Sequence, residues 1–383
     1  MTRRLVLLTE IISPYRIPLF NSLAQHPGIA LHVIFLSEND PGLRQWKVYK
    51  DEIRCSYEIL PSWRRRIGKL NILLNGRVFR ALRRASPDII LCGGYNYLAF
   101  WQTLLWAQSR RVPFLLWSES NRYDVRSGHP IVELLKTEFL RQCSGFIVPG
   151  QSAKEYLLTH RVPADKVFVA CNAVDNDLFR SLAASARQNA GERRRELDLP
   201  GRYIVFVGRL VPEKGVLELL SAYGGLSVEL RRQIGLVFVG DGSSRQELQK
   251  RAALVSEGTI KFVGFAHREQ LPDYYALAEM SVLPTYTDTW GLVVNEAMAC
   301  GLPVIVSRVA GCASDLIKEN WNGLLVEPRD ILSLATAITT LTTQPGLCAN
   351  MGAHSAQHIT NYSPAAWSEG IAHAVEALLG NHD

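Results

Sequence analysis

The sequence predicts an α/β protein of two Rossmann-like domains facing across a cleft. Two observations predict it. Short apolar runs alternate with stretches of helical periodicity, which is βα repetition and implies parallel sheets covered by helices. The alternation is interrupted once, by a polar Ala/Arg-rich segment at 181–199 carrying Arg193-Arg194-Arg195 and ending at Pro200-Gly201, and then begins again. With 383 residues, 47% hydrophobic and 20% charged, each half is able to bury its own core.

In the first series the expected strands are Leu5–Leu8, Leu31–Leu36, Ile89–Cys92, Phe114–Trp117, Phe146–Val148 and Val167–Ala170, with helices over 96–109, 131–142 and 151–160. In the second they are Tyr203–Val207, Leu236–Val239, Ile260–Val263, Ser281–Leu283, Val304–Val306 and Gly323–Val326. Its helices fit 213–223, 244–254, 268–278, 292–300, 330–343 and 365–379. The domains expected are 1–180, a linker at 181–200, and 201–363, with a C-terminal helix in 364–383 packing back toward the first domain. In such sheets ligands bind at the carboxyl ends of the strands.

Composition narrows the function classes. No apolar run reaches the roughly 18 residues of a spanning helix. Met1 to Glu10 reads as a first buried strand, because Glu10 and Pro14 cut its apolar run too short for a signal peptide. The seven cysteines are scattered, odd in number and without a Cys-x-x-Cys pair, which suits reduced core cysteines in a cytosolic protein with no zinc site or disulfide framework. Charge is uneven: residues 1–100 carry 15 Lys and Arg against 7 Asp and Glu, a net +8, which leaves −2 on the other 283. The excess lies at Arg64, Arg65, Arg66, Lys69, Arg77, Arg80, Arg83 and Arg84, with Ile67, Leu70, Leu74, Val78 and Leu82 at helical spacing beside them. Two readings stand. One is a basic amphipathic helix facing an anionic membrane or acceptor, the other a solvated helix face with a basic loop. No nucleic-acid motif is present, so nucleic acid is not an expected partner.

The chemistry-bearing motifs lie in the second half. Asp288 and Glu296 are separated by seven residues, with Gly291 opening a helix between them and Gly301-Leu302-Pro303 stopping it. A helix N-terminus offers N–H groups and a positive dipole end, which suit a diphosphate, and an acid one to two turns in suits neighbouring hydroxyls. Val207-Gly208-Arg209-Leu210-Val211-Pro212-Glu213-Lys214-Gly215 runs a buried strand into two cations, Arg as a fork and Lys as a point charge. Val239-Gly240-Asp241-Gly242-Ser243 is a strand-end turn, and taken alone an ordinary one. Phe262-Val263-Gly264-Phe265 is a third strand end, with an aromatic suited to lie against a base.

In their order, over about 120 residues, these four elements resemble the retaining GT-B-fold glycosyltransferases of family 4. The first half fits less strongly, through its domain pattern, Pro149-Gly150-Gln151-Ser152 and Asn172-Ala173-Val174-Asp175. The resemblance implies that Arg209 and Lys214 neutralise a donor diphosphate and that Glu296 accepts hydrogen bonds from ribose hydroxyls. Asp288, with backbone N–H groups near Trp290, Gly291 and Leu292, would hold the transferred sugar. Gly208, Gly240 and Phe265 would complete the donor site, Gly240 and Phe265 lining the base.

There are departures. Asp288 stands where the family has Glu, one methylene shorter. Ile12-Ser13-Pro14-Tyr15-Arg16-Ile17-Pro18 replaces a Gly-Gly turn, offering Tyr15 and Arg16 to the acceptor, while Ser13-Pro14 reads equally as a helix start. Leu116 to Arg122 holds no His where relatives have one, and Glu119 is the natural substitute near the reacting carbon, with a helix cap or ion pair as the alternative. His129 and His160 are expected on loop or helix surfaces. Asp175-Asn176-Asp177 is not read as a metal motif, because Arg209, Lys214 and the helix start already supply the positive charge.

The implied reaction is metal-independent transfer of a hexose-type sugar from a nucleoside diphosphate to a glycan or lipid-linked acceptor in surface-polysaccharide or lipopolysaccharide biosynthesis. The setting expected is cytoplasmic or on the inner face of the plasma membrane, with the nucleotide sugar as co-substrate, no cofactor and no metal. Glu119, Asp288, Arg209 and Lys214 are the catalytic candidates. A sugar-nucleotide epimerase of the same architecture and a non-catalytic sugar-nucleotide-binding subunit are the rival readings.

Overall fold

The structure is a computed structural model and describes residues 2–40, 46–68, 70–123 and 130–380, so Lys69 and His129 lie outside the described residues. The chain forms two compact units. The first takes Met1–Asn121, Arg126–Asn172 and Pro364–Asp383; the second takes Arg122–Val125 and Ala173–Ser363.

In the first unit the strands are β1 (Arg3–Thr9), β2 (Ile29–Phe35), β3 (Ser56–Ile59), β4 (Ser62–Ile67), β5 (Leu70–Asn75), β6 (Ile89–Cys92), β7 (Phe114–Trp117), β8 (Gly145–Val148) and β9 (Val167–Val169). Seven of them form a parallel sheet in the order β3-β2-β1-β6-β7-β8-β9, with Leu5 of β1 opposite Leu31 and Ile89. Their near-continuous apolar runs follow from burial on both faces. Helices Val78–Ala85, Leu98–Arg110, Pro130–Gln142 and Gln151–Thr159 share one core with the sheet, through Leu82, Phe100, Phe139 and Leu157 against Val6, Ile90, Leu116 and Phe146. Trp117, one residue beyond Leu116, points to the opposite face. There its ring meets Trp367 of the C-terminal helix Pro364–Leu379 at 5.2 Å, and Trp367 meets Phe20 of helix Ile17–Ala24 at 6.2 Å. The last helix is thereby part of the first unit's core.

The second unit's sheet contains β10 (Tyr203–Val207), β11 (Gly235–Val239), β12 (Ile260–Gly264), β13 (Met280–Leu283), β14 (Val304–Ser307) and β15 (Gly323–Val326), in the order β12-β11-β10-β13-β14-β15 and parallel throughout. Val205 and Val207 enter one core while Ile204 and Phe206 enter the other. Every strand expected from the apolar runs is present.

Two expectations are corrected. The segment read as a linker is helical, over Asn176–Gln188 and Ala190–Glu196. Phe179, Ala183 and Ala186 recur at i, i+4 and i+7 and are buried in the second unit's core, while the polar residues between them face water. The basic stretch is not one amphipathic helix either. Arg64 to Arg66 lie on the antiparallel hairpin β4–β5, which pairs Arg64 with Leu73 around a turn at Gly68, and only Val78–Ala85 is helical. Gly68 and Asn75-Gly76 break the helix that the apolar spacing suggested.

Asp175-Asn176-Asp177 is a helix start. Asp175 caps it by accepting from Leu178 N–H at 3.0 Å, and Asn176 donates to the Ile359 and Tyr362 carbonyls. All seven cysteines are free and six are buried. Among the described residues no helix is long and apolar enough to cross a membrane.

Candidate active site

Each sheet reverses the direction of its strand order once, and the loops that leave the carboxyl ends on either side of that point flank a natural ligand crevice. In the second unit the reversal falls between β10 and β13. The loop after β10 carries Gly208 to Gly215, and the loop after β13 carries Pro284 to Gly291 and leads into helix Leu292–Ala299.

Backbone contacts lock these two loops together. Gly215 has φ +66°, and a Cβ on it would lie 2.1 Å from the Pro284 carbonyl oxygen, so only glycine fits. The Glu213 carbonyl accepts from Tyr286 N–H at 2.8 Å and from Thr285 Oγ1 at 2.9 Å. Lys214 is thereby aimed at Asp288, and the Lys214 ammonium forms an ion pair with Asp288 Oδ2. The other carboxylate oxygen, Oδ1, accepts from Trp290 N–H at 3.3 Å. This is the local turn a short acid makes with the N–H two residues on, and a longer Glu would not make it so readily.

Trp290 itself is an anchor. Its indole is buried and donates to Asn295 Oδ1 at 2.8 Å, so it brings backbone rather than a ring to the site. Gly291 has φ +100°, and no side chain caps the helix that follows; Val294 N–H donates to the Gly291 carbonyl at 2.9 Å, which leaves the N–H groups of Leu292 and Val293 to be offered to a ligand. Arg209 is exposed, 3.4 Å from Glu213 Oε1, and keeps its guanidinium at the mouth of the loop.

Gly208, Gly240 and Gly264 end β10, β11 and β12. Gly208 N–H donates to the Val239 carbonyl at 3.0 Å and Gly240 N–H to the Gly264 carbonyl at 2.7 Å. A Cβ on Gly240 would sit 1.9 Å from the Gly208 carbonyl oxygen, so Gly240 is required by this close backbone approach. Phe265, just beyond, is exposed and meets His267 edge-on at 5.1 Å.

Glu296 lies deeper than its expected role demands. It is 1% exposed, with Oε2 accepting from Tyr275 OH at 2.9 Å. Burial pushes its carboxyl up to about 8, against a smaller downward pull from the Tyr275 hydrogen bond. At neutral pH it is therefore mostly protonated, able to donate as well as accept.

In the first unit the structure brings together three residues beyond the carboxyl ends of β1, β7 and β9. Arg16 Nη2 donates to both oxygens of Glu119 at 2.7 Å, and Arg16 Nη1 donates to Asn172 Oδ1 at 3.1 Å. Asn172 closes the ring by donating to Glu119 Oε1 at 2.7 Å. The guanidinium also lies 4.0 Å over the Trp117 ring. Burial alone would raise the Glu119 carboxyl, but the Arg16 charge and the hydrogen bonds from Arg16 and Asn172 outweigh it and hold the pKa below the usual range. Tyr15 packs edge-on against Trp46 at 6.0 Å.

A second network, which motif reading missed, sits beside β1. Arg64 bridges Glu10 at 3.1 Å and Asp40 at 2.6 Å, and Tyr97 OH donates to Glu10 at 2.6 Å. The available signal was that Glu10 follows β1 and Tyr97 follows β6, the two strands at this sheet's own reversal point. Among the described residues no cluster of three His, Cys, Asp or Glu is placed to hold a metal ion.

Two family descriptions match the chain: Glycosyltransferase Family 4 over residues 19–178, and Glycosyl transferases group 1 over residues 190–358. The chain belongs to the GT-B glycosyltransferases of these groups. Among curated proteins it is similar to the D-inositol 3-phosphate glycosyltransferase of Thermomonospora curvata, 29% identical over 246 residues, which are 61% of this chain and 56% of that protein. It is also similar to the Sulfoquinovosyl transferase SQD2 of Arabidopsis thaliana, 28% identical over 286 residues, 71% of this chain and 53% of that one. The chain spans about half the length of the curated relatives it matches. Among solved structures, the HepE protein of Anabaena in complex with UDP and glucose aligns with a TM-score of 0.76 at 19% identity, over 98% of this chain and 100% of that one. That likeness shows the fold, two Rossmann-like domains of GT-B type.

Proposed function

We propose that the protein is a retaining glycosyltransferase that moves a sugar from a nucleoside diphosphate to a glycan or lipid-linked acceptor, in the assembly of a cell-surface polysaccharide or lipopolysaccharide. The observation that carries this is the Lys214–Asp288 pair, clamped beside an uncapped helix start at the strand-order reversal of the second unit. The HepE protein of the same fold is seen with UDP-glucose, which supports a nucleotide-sugar donor. Retention at the anomeric carbon rests on the family likeness.

In the reaction the bond from the anomeric carbon to the diphosphate breaks, one to an acceptor hydroxyl oxygen forms, and the hydroxyl proton passes to the departing diphosphate oxygen. Negative charge develops on the departing diphosphate. Lys214, Arg209 and the N–H groups of Leu292 and Val293 are fixed dipoles and charges that meet it there, so little reorganisation accompanies bond breaking. Asp288 holds Lys214 in position until the diphosphate arrives and then offers its carboxylate to the sugar hydroxyls. Glu296 takes the ribose, exchanging its Tyr275 partner for a hydroxyl. Glu119, ionised and oriented by Arg16 and Asn172, stands on the acceptor side together with Tyr15 and Arg16. Charge stabilisation comes from the protein, and no metal is assigned a role.

The test is a panel of nucleoside-diphosphate sugars, assayed for nucleotide release with and without lipid-linked and oligosaccharide acceptors, with the anomeric configuration of the product read by NMR. Acceptor-dependent release with retained configuration is the expected result. Acceptor-independent release of free nucleotide would point instead to an epimerase, and no release with any donor to a binding subunit.

A further inference from the structure

Helix Pro130–Gln142 is built the wrong way round for a helix on a sheet. Its outward side carries Ile131, Val132, Leu134 and Leu135, each between 51% and 69% exposed, while Lys136 points inward and is buried. Lys136 is held there by Tyr156 OH, by His160 Nε2 at 3.0 Å and by Glu133 at 3.4 Å. A surface helix ordinarily turns its apolar stripe to the core and its lysines to water. This one has an apolar inner edge at Phe139 and Leu140 and a second apolar stripe, at i, i+3 and i+4, facing out.

The stripe continues on the neighbouring helix. Leu98–Arg110 packs against Pro130–Gln142 through Trp101 on Phe139, at 4.9 Å between rings, and through Gln108 on Gln142. It exposes Leu98 and Leu105 on the same outer face. On its other side lies helix Val78–Ala85, which exposes Phe79 together with Arg80, Arg83 and Arg84. Arg77, Arg110 and Arg111 are exposed at the ends of these helices. Counted over 77–85, 98–111 and 130–142, there are eight Lys and Arg against two acids, Glu133 and Glu138; Lys136 is buried and paired with Glu133, Arg141 is paired with Glu138 and Arg84 with Glu58, which leaves Arg77, Arg80, Arg83, Arg110 and Arg111 as the exposed positive charge of the face.

We infer that this three-helix face of the first unit is a membrane-docking surface, which seats Ile131, Leu134, Leu135, Leu98 and Leu105 in the headgroup boundary of an anionic bilayer beside the arginines. It deepens the lipid-linked acceptor reading and rests on it for its purpose. It also replaces the hairpin arginines as the contact, because Arg64 and Arg66 are engaged with Asp40. The occupant follows from charge. An apolar patch flanked by the exposed guanidinium groups of Arg77, Arg80, Arg83, Arg110 and Arg111 matches acyl chains beneath anionic headgroups, the pattern of an interfacial helix. A self-association surface would place those cations against their own copies.

The experiment is flotation of the full chain with vesicles of phosphatidylcholine alone or mixed with phosphatidylglycerol, in parallel with sedimentation in solution. The wild type is expected to float with the mixed vesicles and less so as salt rises. The double variant Leu134→Ser/Leu135→Ser is expected to lose about tenfold or more of its bound fraction, since each buried apolar side chain adds to the partition. Arg80→Gln/Arg83→Gln is expected to lose binding only to the anionic vesicles. Leu105→Ser, on a different helix, repeats the test should the double variant melt early by circular dichroism. Lys214→Ala is expected to float like the wild type, so that a failed transferase assay and a failed docking surface are told apart. Equal binding by the leucine variants overturns the inference, as does a wild type that ignores vesicles. A wild-type dimer that the leucine variants dissociate overturns it too, in favour of a second copy.

Discussion

Lys214 is the side chain on which the donor site turns. Its partner Asp288 keeps it aligned, and in the proposed reaction its charge meets the leaving diphosphate. Lys214→Ala is expected to lower kcat for nucleotide release by about 10²–10³, the scale of losing one preorganised donor to developing charge. Glu296 makes a prediction of a different kind. Its carboxyl titrates at about 8 when folded and at an ordinary 4.5 otherwise, so the folded state holds the proton more tightly. Stability therefore falls as pH rises from about 4.5 to about 8 and is flat above that. Glu296→Gln is expected to remove that slope in urea melts across this range while impairing nucleotide binding, and an unchanged slope would show that the carboxyl is not buried as seen. Glu119 has the opposite sign. Its folded pKa is held below the ordinary value, so its contribution is present above that value and is lost as pH falls through the depressed one. Arg16→Met is expected to shift the acid limb of the stability profile upward, measured the same way.

At the scale of elements, the loops are set by glycines more than by the charged residues they display. Gly215→Ala is expected to destabilise the second unit by about 2 kcal/mol or more, through left-handed backbone and a clash with the Pro284 carbonyl, and to cost activity with it. A melt unchanged within error would refute the clamp. The strands were legible because each is an apolar run buried on both faces, and the site loops because glycines and cations sit at strand ends. The errors have a common cause. Arg64 looked like part of a solvated basic stretch, yet it bridges Glu10 and Asp40, an assignment that depends on residues 54 and 24 positions away. The polar segment at 181–199 hid Ala183 and Ala186, small residues whose burial depends on tertiary packing. Asp288 was legible as an acid, but its turn onto Trp290 N–H was not, because one methylene decides it.

At the scale of the whole molecule, the chain leaves the first unit at Asn172, builds the second, and returns at Pro364. The return is a core element, since Trp367 is fully buried between Phe20 and Trp117. Trp117 in turn carries the Arg16 guanidinium on its ring, so the C-terminal helix supports the Arg16–Glu119–Asn172 network at one remove. Trp367→Ala is expected to cost about 3–5 kcal/mol, read as a lower midpoint in denaturant melts. It is also expected to weaken acceptor use while leaving donor binding in place. In the proposed function a sugar nucleotide is held, and its bond to the diphosphate broken, at the clamp of Lys214 and Asp288. The measurement that tests it most directly is nucleotide release from the best donor of the panel, wild type against Lys214→Ala at saturating donor. A loss of about 10²–10³ in kcat with the fold intact is expected. Equal rates for the two proteins would contradict it.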